Sequence, residues 1–198
     1  MGGQACVLYG AAEFSRDLDL CVLAEPENLE NLVRAMATLE ARSIAVPELD
    51  RAHLDRGHAV HFRCGREDVA GLRVDIMSRM RGVDGFEELW RRRTTVHDEG
   101  GEIDVLSLPD LVNAKKTQRD KDWPMIRRLL EQELELCAGH PVAAAQQSRP
   151  AVDAARRGEL ELTRSLLSKE EQAESDDDTL YWSSLRRELE WMRRSRRG

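Results

Sequence analysis

Apolar and polar residues alternate with a period of two in three stretches of the first eighty residues. In several other stretches they recur at helical spacing. Gln4 to Gly10 is an apolar run that follows Gly2-Gly3 directly, and reads as a helix opened by a glycine turn. Leu18 to Leu23 reads as a strand ended by Pro26. Glu27 to Leu39 carries Leu29, Leu32, Val33, Met36 and Leu39 at helical spacing. Residues 42–58 give no clear period; Pro47 and Gly57 favour loop with a short helical piece. Ala59 to Cys64 and Gly71 to Met77 alternate as strands, and the polar Gly65 to Ala70 joins them as a hairpin. Phe86 to Arg93 reads as a short helix. Thr94 to His97 and Ile103 to Leu106 read as short strands around Gly100-Gly101.

After residue 106 the pattern turns helical. Pro109 suits the first turn of a helix running to about Gln118, and a second runs from about Asp120 to Cys137. Gly139 to Pro150 is a Pro-, Ala- and Gln-rich break. Two further helices follow, Ala151 to about Ala173 and Thr179 to about Arg194, with Asp176, Asp177 and Asp178 as the cap of the last one. The expected fold is α+β: a small mixed sheet with flanking helices over residues 1–138, and a helical C-terminal extension over 139–198.

Composition changes this picture little. The 198 residues are 41% hydrophobic and 34% charged, which suits a globular domain with solvated helices. The net charge of -7 argues against general nucleic-acid binding, which needs a basic surface. No apolar stretch reaches the ~18 residues that span a bilayer, and no signal peptide is visible. Cys6, Cys21, Cys64 and Cys137 form no CxxC pair and read as reduced thiols of a cytoplasmic protein. Lysine is confined to Lys115, Lys116, Lys121 and Lys169, so its clustering marks a local need for an ammonium group. His53, His58, His61, His97 and His140 lack metal-ligand spacing with the cysteines and read as loop or surface residues.

Chemistry enters with the carboxylates. Asp17 and Asp19 are two apart on a predicted strand, so both point to one face while Leu18 turns into the core. Two carboxylates on one face repel unless a cation lies between them, and hard divalent ions are held by such oxygens. Asp75 sits on another predicted strand. If the strands are close, the three converge, as in sites that hold two metal ions for nucleotidyl transfer. Gly2 and Gly3, opening a helix, would present backbone N–H groups to a phosphate.

The segments GGQACVLYGAAEFSRDLDLCVL, GLRVDIM and LPDLVNAKKTQRDKDWPMIRRLL resemble the nucleotidyltransferase superfamily with the polymerase-β-like core, in its AbiEii-like and minimal branches. The resemblance covers about residues 1–135. It implies that Gly2 and Gly3 contact the triphosphate, that Asp17, Asp19 and Asp75 bind two Mg2+ ions, and that Asp75 helps deprotonate the acceptor hydroxyl. It implies further that Lys115 or Lys116 meets the triphosphate, that Arg119, Lys121 and Asp122 line or brace the site, and that Ser15 and Arg16 lie near the pocket. The family has a helix and a strand ahead of its glycine pair; here the glycines are residues 2 and 3, so either Met1 is a misassigned start or the core lacks that strand. The implied activity moves an NMP from an NTP to a hydroxyl of a tRNA, a protein or a small molecule, in a setting such as a toxin–antitoxin system. The alternative is a non-catalytic binding protein that keeps the fold. The stripe Trp182, Leu185, Leu189 and Met192 suits core packing or a protein partner of the C-terminal helices.

Overall fold

The computed structural model describes residues 1–98, 100–116, 122–136, 150, 154 and 157–196. It is a mixed α+β fold, as the patterning predicts. A four-stranded sheet has the order β1-β4-β3-β2, where β1 is Asp17–Cys21, β2 Arg42–Ser43, β3 Val60–Arg63 and β4 Arg73–Met77. β1 runs parallel to β4, while β3 is antiparallel to both β4 and β2. β3 and β4 are the expected hairpin. β5 (Thr94–Asp98) and β6 (Gly101–Val105) form a separate antiparallel pair.

The two faces of the sheet differ. Leu18, Leu20, Val60, Phe62, Val74 and Ile76 turn to one side and pack with α2 (Pro26–Thr38) and α3 (Arg51–Asp55). Leu29, Leu32 and Met36 of α2 meet this core, but Val33 is 55% exposed and falls off the expected stripe. On the other side, α1 (Gly2–Leu8), α4 (Phe86–Arg91), α5 (Leu108–Lys115) and α6 (Asp122–Leu136) build a second core around Cys6, Leu111 and Leu129. Ser107 caps α5 by accepting from the Asp110 N–H, and Pro109 fills its first turn. Asp50 caps α3 in the same way, accepting from Ala52 N at 2.7 Å, which resolves the ambiguous stretch before β3.

The C-terminal region differs from expectation. In place of two helices, one helix, α7, runs without a break from Leu160 to Ser195. The three aspartates lie inside it and cap nothing. Asp178 is 2% exposed; it accepts from Arg81 Nε at 3.0 Å and from Trp182 Nε1 at 3.1 Å. That pairing outweighs the weak helix propensity of aspartate. Leu185 of the predicted apolar stripe is buried, and the Tyr181 hydroxyl lies against Gly57. The predicted break at 139–150 and the beginning of the predicted helix from Ala151 fall largely outside the described residues.

Candidate functional site

The register brings the carboxylates together. Asp19 faces Asp75 across the parallel β1–β4 pair, and Asp17 faces Arg73. All lie on the face opposite Leu18 and Leu20, as the alternation predicts. The α1–β1 connection closes over them: Gly3 N–H donates to Asp19 Oδ2 at 3.3 Å, and Ser15 Oγ donates to the Asp17 carbonyl at 2.9 Å.

The glycines are needed for clearance. Gly2 has φ +66°, and a Cβ there would stand 1.8 Å from Asp19 Oδ2. A Cβ on Gly3 would stand 2.3 Å from Ser15 Oγ. Residues with side chains could not approach β1 this closely. The pair therefore docks the first turn of α1 onto the carboxylate strand, with one N–H already given to Asp19.

Each carboxylate has a different environment. Burial raises the Asp19 pKa, with the Asp75 charge adding to it, against the Gly3 N–H and the Lys115 charge. Asp17 is half-buried, and its carboxylate makes no hydrogen bond or ion pair among the described residues. Asp75 is 8% exposed and fully engaged. Arg73 forks onto it, Nε to Oδ1 at 2.8 Å and Nη2 to Oδ2 at 2.9 Å, and His61 Nδ1 lies 2.8 Å from Oδ1. Burial would raise its pKa, but the bonds from His61 and Arg73 outweigh that and hold it below the usual carboxylate range.

Both oxygens of Asp75 hold donors from Arg73 and His61, so an ion bound there would share or displace these contacts. Among the described residues, no group of three or more His, Cys, Asp or Glu side chains is placed to hold a metal ion.

The lysines divide. Lys115 is not solvated: it is 8% exposed, its Nζ lies 3.7 Å from Asp122 Oδ1, and its charge reaches Asp19 and Cys6. Asp122 is 2% exposed, so it is no ordinary surface residue. Lys116 is half-buried and turns to α7, where Nζ lies 3.5 Å from Glu174 Oε1. Arg16 is exposed beside Asp17. Arg119 and Lys121 lie outside the described residues.

Two histidines depart from the surface expectation. His58 is 1% exposed, with Nε2 2.8 Å from Glu188 Oε2 of α7, and His61 belongs to the Asp75 cluster. Arg73 was within reach of sequence reasoning, since i and i+2 share a strand face. His61 was not, because its position depends on the β3–β4 register. Cys6, Cys21 and Cys64 are free thiols, and burial pushes the Cys21 thiol up to about 11, so it stays protonated and inert. Cys137 and His140 lie outside the described residues. No described helix is long and apolar enough to cross a membrane. No family model, curated protein or solved structure matches the chain.

Proposed function

We infer that the chain is a nucleotidyltransferase, moving an NMP from an NTP to a hydroxyl acceptor with release of pyrophosphate. One observation carries this reading: Asp17 and Asp19 share a sheet face with Asp75, directly beneath a glycine-opened helix turn and within the field of the buried Lys115. The residues would divide the work. Lys115 meets phosphate charge as a compact ammonium. Asp19 would take the proton of the attacking hydroxyl, since Asp75 opposite it is already held by Arg73 and His61. Asp75 is the poorer base, since its proton affinity is lowered by Arg73 and His61. Acceptors in keeping with this chemistry are a tRNA, a protein side chain or a small molecule.

The closed state of Asp75 favours a second reading, a nucleotide-binding protein of the same fold without transfer activity. Incubating the protein and Mg2+ with α-labelled NTPs and a cell lysate separates the two. Label transfer that disappears in Asp17→Ala and Asp19→Ala supports the enzyme; no transfer from any NTP leaves the binding reading.

A further inference from the structure

The face that bears the carboxylates also bears a row of arginines. Arg42 is the register partner of Arg63, Arg63 of Arg73, and Arg73 of Asp17. Register partners in neighbouring strands point to the same side and stand about 4.8 Å apart. The three arginine side chains therefore cross β2, β3 and β4 in one line that ends at Asp17.

Their bonding is unequal. Arg73 is held by its fork onto Asp75, which spends Nε and Nη2, while Nη1 makes no bond among the described residues. Its side chain remains 38% exposed. Arg42 and Arg63 are exposed, and among the described residues neither makes a side-chain hydrogen bond or ion pair. The chain has 37 acidic residues against 30 lysines and arginines, so counter-charges are plentiful. Three adjacent guanidiniums with two unpaired are mutually repulsive and are relieved by an anion. A guanidinium fork matches a phosphate bidentately, and one locked by a carboxylate loses little freedom on binding.

We propose that Arg42, Arg63 and Arg73 form a phosphate-binding row serving the Asp17–Asp19 site, in which Asp75 positions Arg73 and is not a metal ligand. The proposal rests on the nucleotidyltransferase reading for the reaction it serves, and not for the binding itself. The phosphate comes from the NTP triphosphate or from a phosphorylated acceptor.

The test titrates the full chain with inorganic triphosphate in EDTA. Wild type binds without a divalent ion. Arg42→Gln, Arg63→Gln and Arg73→Gln each weaken binding by about tenfold, the cost of one charge-assisted contact. Arg73→Lys does not restore it, because a point charge cannot use the fork. Asp75→Asn weakens binding several-fold by releasing Arg73, and leaves Mn2+ affinity unchanged. Arg42 and Arg63 are exposed, so their variants stay folded and keep the test decisive. Competition by ATP assigns the row to the NTP; competition only by a 5′-phosphorylated dinucleotide assigns it to the acceptor, and either result supports the row. Absence of metal-free binding, unchanged affinity in all three arginine-to-glutamine variants, or loss of Mn2+ binding in Asp75→Asn overturns it. A protein that transfers label yet ignores metal-free triphosphate refutes this inference alone. A protein that binds triphosphate through the row but never transfers label refutes only the enzyme.

Discussion

Replacing Asp178 by alanine tests why one helix runs through three consecutive aspartates. Asp178 is buried, and it neutralises Arg81, whose side chain is only 15% exposed. Removing one member of a buried ion pair costs about 3–5 kcal/mol. Arg81 keeps Glu174 at 3.2 Å and the Lys116 carbonyl, so the loss falls below that range. Alanine returns about 0.5 kcal/mol of helix propensity. The net expectation is a loss of about 2 kcal/mol, or about 4–8 °C in melting temperature for a chain of this size. Because α7 docks through this pair, much of the loss is local, and hydrogen exchange along α7 should accelerate first. The exposed Asp177→Ala is the control and should stay within about 0.5 kcal/mol of wild type. Urea denaturation followed by tryptophan fluorescence measures both, since Trp182 bonds Asp178. If Asp178→Ala and Asp177→Ala are indistinguishable, burial of Asp178 is not what carries the helix through the acidic run.

Other outcomes follow from the same structure. Gly2→Ala forces a side chain into a left-handed conformation, at about 1–2 kcal/mol, and onto Asp19 Oδ2. It should lower the melting temperature and nucleotide affinity together. Asp110 is held below its ordinary pKa: burial would raise it, but Arg92 and Ser107 overcome that. A depressed carboxylate stabilises the fold above its unfolded pKa, and that contribution is lost as pH falls through the folded one. Stability should therefore decline below about pH 4, and Asp110→Asn should flatten that decline in pH-dependent urea titrations. Leu129, fully buried in α6, should cost about 2–5 kcal/mol as Leu129→Ala by chemical denaturation.

Elements governed by local pattern were legible in the sequence. Alternation located β1, β3 and β4 and chose the correct face for Asp17, Asp19 and Asp75; glycine and proline bounded α1, α2 and α5 to within a few residues. What depends on pairing was not legible. The two-residue β2 is too short to show a period, and the parallel β1–β4 contact joins residues 56 apart in sequence. The clasp of Arg73 and His61 on Asp75 required that register. The acidic run looked like a helix cap because its counter-charge, Arg81, lies 97 residues earlier. The lysine cluster marked Lys115, but its burial against Asp122 comes from the packing of α5 on α6, which no local pattern shows.

The central claim is that a nucleotide binds at the α1–β1 face and beside α5. Photocrosslinking the protein with an azido-ATP analogue and Mg2+, followed by peptide mapping, tests it most directly. The account predicts label on peptides from Gly2 to Asp19 or from Leu108 to Lys116, suppressed by excess ATP and reduced in Lys115→Ala. Label confined to the separate cleft of roughly 560 Å³ lined by Val22, Arg56, Ser78, Phe86 and Tyr181 would contradict it, as would no ATP-protected label at all.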